Sequence, residues 1–357
     1  NEIQNSDSGL DTISIELFDR QQIIDQQDEI ASMNEGPLEH WLQLLSKEGS
    51  DIRPLKVPTM EEAEAVFMLT EVFPNFEEPL RVITGAVVLA ALSQTGFKLP
   101  KLLLDGEAGS GKTMMIRRVA SELDLPLKEI SMGILEARFE LAGMSRGYKN
   151  PDIGLIARGM IESPIGNPIF LFDEAENGKS ELYQALLQFT EDKVFHDHSL
   201  KVNFNTEYAN SIFITNDKSV LSRPLRSRLQ EFDIKQPTRL ERKKITEDIL
   251  TNVYNSNSQF SLIQNHILKE IPETLSSLPL RQIRIVLEMS LYRAASRFSA
   301  GKELCLLPKD IVIPNIGANH GKMWVPLITT YFIFILICNF LGMIPFFDLI
   351  PGGSSTV

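Results

Sequence analysis

At 357 residues, 43% hydrophobic and 23% charged, the chain has room for two or three domains and the composition of a globular protein. Its 35 Lys and Arg against 47 Asp and Glu give a net charge of −12, with twelve acidic and four basic side chains in residues 1–60. That balance argues against broad binding along a nucleic-acid backbone, which needs clustered cations. With only Cys305 and Cys338, the chain has neither a disulfide framework nor a Cys-rich metal site.

Residues 1–75 read as an acidic, Gln-rich region, partly helical or flexible, with short helical candidates such as PLEHWLQLLSKE (37–48). The start lacks the basic residues and apolar run of a secretory signal; beginning with Asn rather than Met, it reads as a piece of a longer chain. FEEPLRVITGAVVLAALSQTG (76–96) has helical periodicity. It leads into KLLLDGEAGSGKTMMIRRVASEL (101–123), an apolar strand, a Gly-rich turn and a helix in that order. Three more apolar strand candidates follow, LKEIS (127–131), PIFLFDE (168–174) and SIFITN (211–216). Strands alternating with helices over 76–237 predict an α/β domain with a parallel sheet covered on both faces. From 238 to 306 the pattern is helical, with TRLERKKITEDILTNVY and LRQIRIVLEMSLYRAA, and predicts a small α-helical lid domain.

GEAGSGKT, residues Gly106, Glu107, Ala108, Gly109, Ser110, Gly111, Lys112 and Thr113, has the P-loop pattern in the strand-to-helix context that gives it meaning. Glycines let main-chain amides ring phosphates at a helix start. Lys112 is then expected on the β- and γ-phosphates and Thr113 on Mg²⁺. In PIFLFDEAE, adjacent acids end an apolar strand, and successive strand side chains point to opposite faces. Asp173 is therefore the expected Mg²⁺ ligand and Glu174 the general base. SIFITND ends a further strand in Asn216, placed to orient water or the γ-phosphate. SRPLRSRLQEF supplies Arg223, Arg226 and Arg228, and LPLRQIR supplies Arg281 and Arg284.

The order of these motifs over about 75–305 resembles the AAA+ ATPases, a P-loop parallel-sheet sandwich followed by a helical lid. The resemblance implies ATP and Mg²⁺ as ligands and a homo-oligomeric ring, a hexamer. It makes Asn216 the first sensor, Arg228 the finger reaching a neighbouring subunit's nucleotide, with Arg226 the runner-up, and Arg281 the second sensor. FHDHSLKVNF (195–204) and ISMGILEARFELAGMSRGYKNPDIG (130–154) are similar to segments of Lon-type proteases. In that family Tyr148 falls on the pore loop, where an aromatic would grip a polypeptide substrate. His196 and His198 read as structural rather than metal-ligating. The Ser-Lys peptidase domain of that family has no counterpart here, so an ATPase without its own peptidase is expected, a protein remodeller or unfoldase. A nucleic-acid motor or loader is the rival reading, and the acidic balance disfavours nucleic acid as partner.

Residues 1–306 are expected to be cytoplasmic. KMWVPLITTYFIFILICNFLGMIPFF (322–347) carries no charge between Lys322 and Asp348. A helix from Pro326 to Pro345 would cover about 28 Å at ~1.5 Å per residue, close to the roughly 30 Å core of a bilayer. Membrane association is thus expected only through a transmembrane-like helix in residues 323–347. The tail, 307–357, resembles the early membrane portion of F-type ATP synthase subunit a, in PNIG, VPL and NFLGMIP. It reads as a segment joined from another gene or reading frame, a membrane-anchored assembly component being the alternative.

Overall fold

The computed structural model describes residues 13–33, 36–148, 151–191, 193–256, 272–273 and 275–299. The chain divides into two units at Arg284 and Ile285. The tail, 307–357, and the transmembrane-like helix expected within it lie outside the described residues. No helix among the described residues is long and apolar enough to cross a membrane.

In the first unit the described residues begin with a short strand β1 (Ser14–Glu16), helices α1 (Arg20–Met33) and α2 (Gly36–Leu45), and a strand β2 (Ile52–Pro54) antiparallel to β1. Helix α3 (Met60–Val72) starts on a reciprocal cap: Thr59 Oγ1 accepts the Glu62 amide (3.1 Å), and the Glu62 carboxylate accepts the Thr59 amide (2.7 Å). After a turn of 3₁₀ helix at Pro74–Phe76 comes α4 (Glu77–Ser93).

The α/β layer then alternates β3 (Leu102–Asp105), α5 (Lys112–Glu122), β4 (Leu127–Ser131), α6 (Arg138–Ala142), α7 (Leu155–Glu162), β5 (Ile169–Asp173) and α8 (Ser180–Glu191). A hairpin of β6 (Val194–Asp197) and β7 (Val202–Asn205) precedes β8 (Asn210–Thr215), α9 (Arg223–Arg226) and β9 (Gln230–Asp233). The sheet order is β4-β5-β8-β3-β9, every pair parallel. Its inner strands read LLLD, IFLFD and NSIFIT and are buried throughout except at Asp105 and Asp173. Such continuous apolar runs are what a sheet covered on both faces requires. Edge strand β4 instead carries a half-buried Lys128 and an exposed Glu129, ion-paired to Glu162 (2.8 Å) and Arg117 (2.6 Å), charges that blunt an open edge. Phe170, Phe172, Phe189, Phe195 and Phe213 form the centre of the core; Phe172 and Phe213 stack at 4.8 Å. Helix α10 (Arg239–Ser256) follows, and α11 (Leu280–Ser299) is the last described element.

Residues 13–54 do more than supply helices. Leu17, Phe18, Ile23, Leu38, Leu42 and Leu45 are buried in the same cluster as the sheet phenylalanines. Phe18 bridges to Phe204 of β7, their rings edge to face at 5.8 Å, and the Asn205 amide donates to Leu17 O at 2.6 Å.

At the opposite end of the sheet from the P-loop, Asn167 is fully buried. Its Oδ1 accepts the Lys56 amide (2.9 Å), and its Nδ2 donates to the carbonyls of Lys56 (2.9 Å) and Phe97 (3.0 Å). Asn167→Ala would leave the Lys56 amide and the Phe97 carbonyl short of partners, while Lys56 O keeps the Phe97 amide (2.9 Å). It is expected to destabilise the fold by about 2–4 kcal/mol, read as a lowered midpoint in urea denaturation.

Candidate functional site

The site is built where the central strands stop. The apolar run of β3 ends at Asp105, and the Gly106 amide donates to Thr215 O (3.2 Å) at the end of the neighbouring β8. Gly109 and Gly111 then take φ of +83° and +99°, conformations open to glycine without steric penalty, and α5 begins at Lys112. The first amides of a helix have no intrahelical acceptor and sit at the positive end of its dipole, so this start is suited to anionic oxygens.

Lys112 is 5% exposed. Its ammonium donates to Gly106 O, to Glu107 O (3.2 Å) and to Asn216 Oδ1 (3.3 Å). Burial lowers its pKa, while Asp173, Glu176 and Asp105 oppose that and favour the charged form. Thr113 Oγ1 donates to Asp173 Oδ2 at 3.0 Å. A hydroxyl and a carboxylate in contact at a strand edge, beside a buried ammonium and a helix start, fit a hard divalent cation such as Mg²⁺ shared with phosphate oxygens. The structure thus brings together Lys112, Thr113, Asp173 and Asn216.

Glu174 follows Asp173 in the left-handed region, φ +55° and ψ +44°, which is rare outside glycine. Its amide donates to Asp173 Oδ1 (2.8 Å), and its exposed carboxylate turns toward the backbone of Gly133. Asn216 also donates from Nδ2 to Glu176 Oε1 (2.7 Å), and Glu176 Oε2 is buried without a partner. Sequence reasoning passed over Glu176; the third acid of DEAE was its one signal. Two further residues hold the loop from outside. Asn75 Nδ2 donates to Ser110 O (3.1 Å) and Lys235 O (3.0 Å), and Gln236 Nε2 donates to Ala108 O (2.9 Å). Neither belongs to a recognisable motif, so nothing local announced them.

The arginines fall elsewhere. Arg228 donates from Nη2 to Glu191 (2.9 Å) and from Nη1 to Pro224 O; Arg226 makes a two-pronged pair with Glu231, both contacts 2.9 Å. Neither touches the P-loop of its own chain among the contacts of the described residues. Arg281 is exposed in the first turn of α11; its neighbour Leu280 lies beside Gly111, 3.3 Å from where a Cβ there would stand. Tyr148 is 69% exposed at the rim of a cavity of about 340 Å³.

Residues 102–239 match the model of the ATPase family associated with various cellular activities (AAA). The match spans less than half of the chain. The parallel sheet and its helices fit that α/β fold. Among curated proteins the chain is similar to peroxisomal Lon protease homolog 2 of Pichia angusta, 31% identical over 163 residues, 43% of this chain and 17% of that protein. It is 28% identical to the Lon protease of Desulforamulus reducens over 242 residues, 64% of this chain and 30% of the other. With Lon protease 1 of Bacillus subtilis it shares 28% over 194 residues, 52% and 25% of the two chains. The chain spans less than a third of the length of these relatives. A solved S. cerevisiae Hsp104:casein complex in an extended conformation shares the fold, with a TM-score of 0.56, 16% identity and coverage of 78% of this chain and 52% of that one.

Proposed function

We propose that this chain is a Mg·ATP-hydrolysing motor module that acts in a ring of identical copies as a protein remodeller or unfoldase. The observation that carries the reading is the Thr113–Asp173 contact beside the buried Lys112, all on one edge of the sheet inside the stretch that matches the AAA family. Bound Mg²⁺ would supply positive charge for the transferring phosphoryl group, with Thr113 and Asp173 as its protein ligands. The amides of residues 109–113 and Lys112 bind and orient the phosphates, and Asn216 holds the Lys112 ammonium toward them. Glu174 takes the proton of the attacking water. Arg228 reaches the neighbouring copy's site, for which it must leave Glu191, and Arg281 of the lid completes the charge set. Likeness to Lon proteases and the Hsp104 fold supports a polypeptide as the substrate, passing Tyr148. No peptidase activity is assigned to the chain.

ATP turnover measured against protein concentration tests this reading. Wild type should show specific activity that rises with concentration as subunits associate. Arg228→Ala should lose about three orders of magnitude, yet activity should return when it is mixed with Lys112→Ala, because each variant supplies the part the other lacks. Full activity of Arg228→Ala alone would remove the assignment of Arg228. Turnover stimulated by DNA rather than by unfolded protein would replace the remodeller reading with a nucleic-acid motor.

A further inference from the structure

The cavity below Tyr148 has walls of two kinds. Phe139, Met144 and Tyr148 are apolar; Arg138, His198 and Glu181 are not. Arg138 is the unusual member. Arg117, Arg158, Arg226 and Arg228 each meet a carboxylate in this acidic chain. Among the described residues Arg138 meets none: its Nη2 lies 3.3 Å from His198 Nε2, and its Nε is buried with no partner. Arg158 Nε is likewise buried without an acceptor, but Arg158 is neutralised by Asp152 through Nη2, whereas the Arg138 guanidinium has no carboxylate among the described residues and its charge is left to be met.

His198 explains why the guanidinium stays there. A ring nitrogen facing an N–H donor must offer its lone pair, so the ring is neutral with its proton on Nδ1. Burial first, then the neighbouring His196 ring at 5.1 Å and the Arg138 guanidinium, hold the His198 pKa below the ordinary histidine range, against the opposing pull of Asp197. His198 is thereby a positioning residue, steadying Arg138 without neutralising it. Glu181, also on the cavity wall, disfavours a run of acids, so the site suits a single carboxylate next to an apolar group.

We propose that this cavity receives one carboxylate of the polypeptide, with the adjoining apolar or aromatic side chain against Phe139 and Tyr148. The proposal rests on the reading above that polypeptide passes Tyr148, and it adds a preference that Tyr148 alone does not supply: an apolar contact reads no charge, whereas a guanidinium fork reads a carboxylate. The carboxylate can come from an Asp or Glu side chain or from the end of a chain.

Fluorescence anisotropy with the full chain, Mg²⁺ and ATPγS would test it, using three labelled peptides of Gly-Ser background. One carries Phe-Glu pairs and an amidated end, one Phe-Gln pairs and an amidated end, and one Phe-Gln pairs and a free carboxyl end. Wild type should bind the first about tenfold more tightly than the second, as a charge-assisted pair predicts. Arg138→Gln should erase that preference and Arg138→Lys should retain part of it, since charge remains but the fork is lost. Tyr148→Ala should weaken all three peptides alike. Preference for the third peptide alone would assign the site to chain ends. Equal binding of all three by wild type, still weakened by Tyr148→Ala, would overturn the carboxylate site and leave the polypeptide reading in place; no binding of any of them would overturn both.

Discussion

Glu174→Gln is expected to lower ATP turnover at least 100-fold while leaving ATP affinity within a few-fold of wild type. Two neighbouring carboxylates end β5, and the left-handed backbone at Glu174 separates them. Asp173 faces Thr113 with one oxygen and caps the Glu174 amide with the other. Glu174 has its carboxylate outside that arrangement, so removing its basicity should spare binding and remove proton transfer. Steady-state turnover and calorimetric titration with ATP separate the two effects. If the glutamine variant keeps more than about a tenth of wild-type turnover, a larger residue than general-base loss permits, Glu174 is not the base. Glu176, whose Oε2 is buried and unpartnered near Asn216, would then be the group to substitute.

The other large effect lies in the hairpin after α8. Asp197 is fully buried, and its carboxylate is an acceptor for four donors: the amides of Ser199 (3.0 Å), Leu200 (2.9 Å) and Gly154 (2.8 Å) and the Ser199 hydroxyl (2.5 Å). Burial pushes its pKa up and the donors pull it down, burial being the larger influence. The backbone of Gly143 also lies against the carboxylate, so close that a Cβ there would come within 2.6 Å of Oδ1. One side chain therefore ties the hairpin to the start of α7 and the end of α6. Asp197→Ala would strand three amides in a dry interior and is expected to destabilise the protein by about 3–6 kcal/mol. Asp197→Asn keeps an oxygen for Ser199 and Leu200 but turns an amide toward the Gly154 N–H, donor against donor, for a smaller loss of about 1–3 kcal/mol. Urea denaturation followed by fluorescence should rank them in that order. Equal, small shifts would mean that solvent reaches these amides.

What the sequence made legible follows distance along the chain. The P-loop, the acid pair ending β5 and Asn216 were readable because each is a short pattern at the end of an apolar run. A parallel sheet then carries those ends to one edge. The pairing of Arg228 with Glu191 was not readable, because two exposed charges far apart in sequence carry no periodic signal. Nor was the place of residues 13–54. Their acidic, Gln-rich composition describes the outward face, while the few apolar positions that matter, Leu17, Phe18 and Ile23, acquire meaning only opposite β7 and the sheet. Arg138 was hidden for a third reason: an unpaired cation is recognised by what does not surround it, and that requires coordinates.

The contact of residues 16–18 with the β6–β7 hairpin also constrains how the molecule is made. The carbonyl of Glu16 is bonded by the side chain of Asn205, 189 positions later. At roughly 5–20 residues per second, a ribosome takes about 10–40 s to deliver the second partner after the first. During that interval Leu17 and Phe18 have no β7 to cover them. Newly made chains should therefore depend on holding factors, and on slow release of the nascent end, more heavily than a domain whose sheet closes in the order it is translated.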